Sequence, residues 1–186
     1  MEITTAQIKE LREATSAGVL ECRKALEQAG GDMAKAAKKA ERVAKEGRVE
    51  LYAHPGNRLG VMLEVNCESD FVAHTDDFKS LVHELALHLA FSNPKYIKPE
   101  DIPADVVEAQ RAAFRAEAVA AGKPESVLER IVQGKLDKYY DDVCLLRQPF
   151  VKDDKVKVGD MVTSAIARIG ENIVVRRFAR FAVGED

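Results

Sequence analysis

The chain has 186 residues, a length sufficient for one ordinary domain or for a small module joined to a larger one. Hydrophobic residues make up 46% and aromatic residues 6%, which is typical of a compact, soluble, helix-rich protein. Lysine and arginine total 28 and aspartate and glutamate total 31, so the formal net charge is −3. Proteins that mainly bind phosphate backbones normally carry a basic excess, so the balance of charge disfavours a direct nucleic-acid binder.

The cysteines and the apolar segments indicate the compartment. Cys22, Cys67 and Cys144 stand at wide spacings without a CxxC pair, so neither a disulfide framework nor a metal site is indicated, and a reducing cytosol is expected. The opening MEITTAQIKELREAT is too charged for a signal peptide, and LVHELALHLAF is too short and too interrupted to span a bilayer. We expect a cytoplasmic protein without a membrane segment.

The first 47 residues predict helices with little core. Residues 1–31 predict two short helices broken by SAG at 16–18, the first begun by a Thr4/Gln7 capping box. The following stretch, MAKAAKKAERVAKEG, predicts a helix that ends at Gly47. Its alanines, lysines and glutamates indicate a solvated linker in preference to a nucleic-acid contact.

A hairpin and then a helix are predicted next. Apolar residues first recur at every second position, as in a strand, and then at every third or fourth position, as in a helix. RLGVMLEVNC at 58–67 places one residue in two on an apolar face, RVELYAH before it predicts a weaker strand, and HPGNR supplies the turn. Thr75 then predicts a helix cap, and the stripe of the helix packs on the hairpin. That stripe is Phe78, Leu81, Val82, Leu85 and Leu89. His83 and His88 are interpreted as ordinary helix residues.

The remainder predicts helices closed by a strand. Residues 104–143 predict two antiparallel helices, residues 158–168 another helix, and NIVVRRFARFAVG a strand that pairs with the hairpin. The chain is therefore expected to be α+β.

Catalytic chemistry is not indicated. Cys67 falls on the apolar face of its strand, where an inert thiol is expected, and no GxSxG, HExxH or P-loop pattern occurs. Arg176 to Arg180 alternates with Phe178 and Phe181, which suits either a nucleotide-stacking surface or a sheet with one buried face. A non-enzymatic binding protein with exposed apolar anchors is favoured. Phe71, a large ring in the polar stretch CESDFVAHTDDF, either covers the local core or is held out for a partner.

Several stretches together resemble the bacterial translation elongation factor Ts family. They are LREATSAGVLECRKALEQAGGD, EVNCESDFVAH (with Ser69 where the family usually has Thr), KAAKKAERVAKEG, QPFVKDDKVKV and IGENIVVRRF, and they cover nearly the whole chain. The resemblance implies a small ubiquitin-associated-like helical module at 1–33, a helical linker at 34–47, and an α+β core at 48–186. That core would have a three-stranded antiparallel sheet packed by helices and would include the helical hairpin at 104–143.

The chain departs from the family in two places. About a dozen residues usual after GGDM are absent, so a third N-terminal helix is expected to be missing beyond Met33. Ala179 stands where some short members have a cysteine that bridges subunits, so the homodimer that the short form implies would carry no intersubunit disulfide.

The resemblance also implies a function and a set of contact residues. Members promote GDP release from elongation factor Tu, so no cofactor is expected, and the disturbance of the partner's Mg²⁺ and phosphate site is assigned to Asp70, Phe71 and Val72. The other implied contacts are Arg12, Val19, Leu20, Arg23, His54, Ile169 and Gly170. The alternative function, from another class, is a helical adaptor that binds peptides or a ubiquitin-like surface.

Overall fold

A computed structural model of the chain describes residues 3–15, 19–40 and 44–185, and for residues 20, 21 and 38–40 it describes the backbone alone. The chain divides into two compact units, one of residues 1–87 and 161–186 and the other of residues 88–160. The mixture of helices and a three-stranded antiparallel sheet confirms the predicted α+β class.

Three helices, α1 (Thr5–Thr15), α2 (Val19–Gln28) and α3 (Met33–Ala40), pack around one small core. The Thr4 hydroxyl accepts the N–H of Gln7 at 3.2 Å, which confirms the capping box. The buried side chains of this core are Ile8, Leu11, Cys22, Ala25, Leu26 and Ala36.

Residues 34–40 were expected to belong to a solvated linker, and no third helix was expected in the N-terminal module. This was wrong for Met33–Ala40, which form α3 and pack against α1 and α2. Met33, Ala36 and Ala37 recur at helical spacing, and Ala36 is fully buried. Alanine carries so little apolar surface that its stripe was not counted as a core face, although its small size permits close helix approach. The boundaries at 33/34 and 47/48, and the ubiquitin-associated-like character of this unit, stay predictions.

Gly47 does not end a helix, contrary to the sequence-based expectation. It lies within strand β1 (Glu46–Ala53) with φ of 140°, and opposes Asn66 on strand β2 (Leu59–Cys67). A Cβ atom at this position would lie 2.2 Å from the carbonyl oxygen of Val65. The glycine is therefore required by the close approach of the two strands.

The sheet has the order β1-β2-β5, with β5 (Val174–Ala182) antiparallel to β2, so the predicted hairpin and closing strand are confirmed. Val61, Leu63 and Val65 are buried on one face, as predicted. Arg48, Glu50 and Tyr52 of β1 share that face through the strand register.

The first half of helix α5 (Asp76–Ser92) lies on this face. The His83 ring, with its Nδ1 3.1 Å from the Oε1 of Glu50, meets the Tyr52 ring edge-on at 6.1 Å between centroids. The Thr75 hydroxyl accepts the N–H of Phe78 at 3.3 Å, so the predicted cap is present. The predicted apolar stripe of α5 is buried along its whole length.

The opposite face of the sheet carries an exposed apolar patch, which adjoins the ion pair between Glu64 and Arg177. Leu51 pairs with Met62, Met62 pairs with Ala179, and Gly60 pairs with Phe181, which places these residues on one side. Leu51, Met62 and Phe181 are largely accessible in the isolated chain. We call the surface formed by Val49, Leu51, Met62, Ala179 and Phe181 the open sheet face.

The unit of residues 88–160 contains the predicted helical hairpin, α6 (Ala104–Ala120) and α7 (Glu125–Val143), and begins helix α8 (Val158–Ile169). It also contains a small hairpin of β3 (Pro149–Phe150) and β4 (Asp153–Lys157) that the apolar periodicity did not predict. His88 is fully buried here, where its Nδ1 accepts the N–H of Val151 at 3.2 Å. Burial lowers the pKa of His88, so the ring is held neutral.

Candidate functional site: the Phe71 turn

The polar stretch after β2 forms a single helical turn, α4 (Asp70–Ala73), beside β1 and β2. Ser69 caps it, because its hydroxyl accepts the N–H of Val72 at 3.3 Å. The Phe71 side chain is 80% exposed. The alternative that Phe71 covers the local core is therefore wrong, and the ring is held out into solvent.

The turn is fixed at its far end as well. The Nδ1–H of His74 donates to the carbonyl oxygen of Asp70 at 2.8 Å, and the Thr75 hydroxyl donates to the carbonyl oxygen of Val72 at 2.8 Å. Asp70 itself is exposed at the first position of α4, where a carboxylate is favoured by the helix dipole. The backbone of the turn is thus well satisfied, while two of its side chains, Asp70 and Phe71, stay accessible.

Val72 differs from its neighbours because its side chain is buried. It was grouped with Asp70 and Phe71 as a contact residue, but in the isolated chain it faces inward together with Ala73. Successive side chains of a helix are about 100° apart, so a turn that lies on a packed surface presents some of its side chains outward and the others inward. The contact expected of Val72 stays a prediction, and in the isolated chain its side chain packs inward beneath the turn.

The carboxylate of Glu171 binds the backbone that enters the turn. Its Oε2 accepts the N–H of Glu68 at 3.1 Å and that of Ser69 at 3.0 Å, and its Oε1 accepts the Ser69 hydroxyl at 2.5 Å. The Oε1 of Glu68 in turn accepts the N–H of Asn172 at 2.7 Å. Glu171 lies within the stretch IGENIVVRRF, but no local pattern of the sequence marks it as a site residue.

Two other predicted contact residues lie directly before this carboxylate. Ile169 ends α8 half-buried, and Gly170 follows it exposed with φ of 84°. The reversal at Gly170 turns the chain so that Glu171 meets the Phe71 turn. The structure thus joins Asp70 and Phe71 to the Ile169–Gly170 segment through Glu171.

The remaining predicted contacts lie elsewhere in the same unit. His54 is exposed at the end of β1, where its Nδ1 lies 3.0 Å from the Tyr52 hydroxyl oxygen. Arg12, Val19 and Arg23 are exposed on α1 and α2, and Arg23 pairs with Glu27 at 3.4 Å. The side chain of Leu20 lies outside the described residues.

The cysteines of the described chain are reduced and buried. Burial raises the pKa of the Cys67 thiol to about 11, and that of the Cys144 thiol to about 11 as well. At neutral pH both groups are therefore protonated, and a protonated thiol is a poor nucleophile. The Cys67 Sγ–H donates to the carbonyl oxygen of Ser69 at 3.2 Å, which is a structural contact with the Phe71 turn.

Among residues 3–15, 19–40 and 44–185, His, Cys, Asp and Glu side chains form no group of three that would hold a metal ion. Within the same ranges, no helix has both the length and the apolar character needed to cross a bilayer.

Comparison with known proteins decides the family. The family model described as Elongation factor TS matches residues 2–185. The chain belongs to the elongation factor Ts family. It is 50% identical to elongation factor Ts of Herpetosiphon aurantiacus, with 100% of both chains covered. It is 49% identical to the factor of Carboxydothermus hydrogenoformans, covering 98% of this chain and 90% of that one.

The alignment lengths bear on the segment expected to be absent after Met33. The alignment with the Herpetosiphon aurantiacus elongation factor Ts has 198 positions against 186 residues here, so at least 12 positions have no residue in this chain. This agrees in size with the expected absence of about a dozen residues.

Proposed function

We propose that the chain is a cytoplasmic guanine nucleotide exchange factor that binds elongation factor Tu and promotes GDP release during translation elongation. Membership of the elongation factor Ts family is the first support. The observation that carries the proposal is the exposed Phe71 ring on a turn whose backbone is hydrogen-bonded on both sides. An accessible aromatic ring on a fixed backbone is the kind of group that anchors a protein interface.

The proposed mechanism needs no chemistry from this chain, so the activity is not enzymatic in the usual sense. A GTPase holds GDP through a phosphate-binding loop and Mg²⁺, which are sensitive to small displacements. A factor that binds the nucleotide-free partner better than the GDP-bound partner must weaken GDP binding by the same ratio, because the two equilibria are linked. Insertion of Phe71 beside the partner's Mg²⁺ site would provide that preference.

The other contacts follow from the placement of the exposed residues. Asp70 lies beside Phe71, and the Ile169–Gly170 segment is joined to the same turn, so these would form one contact area. Arg12, Val19 and Arg23 on α1 and α2 would bind the nucleotide domain of the partner, together with Leu20. His54 would contact the partner from the end of β1. Arginine at position 23 in place of the usual lysine keeps the charge but changes the hydrogen-bonding geometry.

We propose further that a second copy of this chain covers the open sheet face. Its side chains are apolar and accessible, which is unusual for a surface that stays in water. Ala179 lies on this face in the edge strand β5, paired with Met62 of the central strand, at the position where some short members have a bridging cysteine. A symmetric dimer through this face would hold together without a disulfide.

Rapid mixing with elongation factor Tu loaded with fluorescent GDP tests the proposed function. The chain should accelerate GDP release in a saturable manner, because exchange proceeds through a complex of defined affinity. The adaptor alternative would instead give capture of several unrelated proteins from a lysate and no change in GDP release. A release rate that stays at its spontaneous value at every concentration of the chain would contradict the proposal.

A further inference from the structure

The Phe71 ring cannot be oriented by its own contacts, because most of its surface is accessible. Its direction is therefore set by the backbone of α4. This helix has four residues, and a helical turn of that length is not stable by itself. The groups that bind the turn from outside must supply the order that presents the ring.

Glu171 binds the turn from outside through three hydrogen bonds. One carboxylate accepts two backbone N–H groups and one hydroxyl from Glu68 and Ser69, immediately before α4 begins. Hydrogen bonds to a carboxylate are stronger than those between neutral groups. The Ser69 hydroxyl donates to Glu171 and also accepts the N–H of Val72, so the carboxylate fixes the group that caps α4.

The contact is reciprocal. Glu68 accepts the N–H of Asn172, and Glu171 accepts the N–H groups of Glu68 and Ser69. The segment of residues 68–69 and the segment of residues 171–172 are therefore joined by hydrogen bonds in both directions, which restrict the movement of the one relative to the other. Glu171 is only half-buried and lies behind the turn, while the ring of Phe71 faces solvent.

We propose that Glu171 is a positioning residue for nucleotide exchange, which fixes the Phe71 turn in the orientation that enters the partner without touching the partner's nucleotide site itself. The inference rests on the proposed exchange function. Its physical basis is the ordering cost of binding. A turn already fixed in the free chain spends less of its interaction energy on becoming ordered in the complex.

Glu171→Ala should reduce the acceleration of GDP release by about tenfold, since three hydrogen bonds that orient the turn are lost. Glu171→Gln should retain most of the activity, because its side-chain oxygen can still accept the two backbone N–H groups. Glu129→Ala is the matched control. It removes a carboxylate that is paired with Arg115 in the α6–α7 hairpin. This variant should accelerate GDP release from elongation factor Tu as much as the wild type does. Hydrogen exchange of the Ser69 and Val72 amides should speed up in Glu171→Ala alone.

A double-mutant cycle with Phe71→Ala separates positioning from a direct contact or a loss of fold, with all rates taken per folded molecule. If Glu171 acts through Phe71, adding Glu171→Ala to Phe71→Ala should cause no further loss. Ser69→Ala gives a second route to the same cycle should Glu171→Ala fold poorly. A wild type without exchange activity would refute the proposed function. Two results would overturn the positioning role alone, provided that the wild type is active and Phe71→Ala lowers its activity. One is that the losses from Glu171→Ala and Phe71→Ala add in the double variant, and the other is that Glu171→Ala is fully active.

Discussion

Phe71→Ala should leave the thermal melt of the free chain unchanged and lower the acceleration of GDP release by about ten- to a hundredfold, equivalent to roughly 1.4 to 2.8 kcal/mol of anchor energy. The reason is the 80% exposure of the ring, which contributes almost nothing to the free chain and becomes buried only against a partner. Melts by circular dichroism, measured beside stopped-flow release of fluorescent GDP, provide the two values.

Two other phenylalanines serve as controls. Phe91 is 76% exposed, so Phe91→Ala removes an equally accessible ring and should leave both stability and GDP release at their wild-type values. Phe78 is fully buried, and Phe78→Ala should lower the free energy of unfolding by about 3 to 5 kcal/mol. A Phe71→Ala variant that melts like Phe78→Ala, or whose folded fraction exchanges nucleotide normally, would contradict the proposed role of the ring.

Met62→Asp should convert the proposed dimer to a monomer at micromolar concentration, with an increase in the dissociation constant of about a hundredfold or more. Met62 lies on the central strand of the open sheet face, where each subunit of a symmetric dimer would bury a new carboxylate, and the nearby Arg177 on this face is already paired with Glu64. Because Met62 is 53% exposed in the isolated chain, the fold of the monomer should be retained. Sedimentation equilibrium measures the dissociation constant directly.

Val119→Asp is the matched control for this experiment. Val119 is 55% exposed on α6, so the substitution adds the same charge to an apolar site of similar accessibility. Its dissociation constant should equal that of the wild type. A wild-type chain that sediments as a monomer at all concentrations, or a Met62→Asp variant that dimerises normally, would refute the open sheet face as the interface.

Most of the core could be predicted because its signals are local and strong. The alternation of residues 59–67 and the stripe from Phe78 to Leu89 each predict which side chains are buried, and the structure buries them as expected except for Leu59, which is half-buried. Thr75 was predicted as a cap because a hydroxyl before a helix satisfies an otherwise unpaired N–H group. Periodicity and capping act over a few residues, so the sequence displays them directly.

The errors arose where burial depends on neighbours that are distant in sequence. The apolar stripe of helix α3 consists of Met33 and alanines, which offer little apolar surface, yet Ala36 is buried because α1 and α2 form a surface for it. The interpretation of His88 as an ordinary helix residue is not among these errors, but the burial of its ring has the same distant origin, because Gln148 and the backbone of Val151, some sixty residues later, supply its hydrogen bonds. No short-range pattern in the sequence indicates either contact.

The candidate site was predicted only in part for the same reason. The exposure of Phe71 was expected from a large ring in a polar turn and from the family resemblance, and the structure confirms it. Glu171 was missed because its three hydrogen bonds reach residues more than a hundred positions away. Val72 was grouped with its neighbours because a resemblance transfers a motif as a unit, whereas one helical turn exposes Asp70 and Phe71 and buries Val72 and Ala73.

The central claim is that this chain binds the nucleotide-free state of its partner more tightly than the GDP-bound state. A ligand with equal affinity for two states does not shift the equilibrium between them. Calorimetric titration of elongation factor Tu with the chain, once nucleotide-free and once saturated with GDP, measures that preference directly. Binding should be tighter to the nucleotide-free form by about tenfold or more, and GDP should bind the complex more weakly by the same ratio. Equal affinity for the two forms would contradict the account.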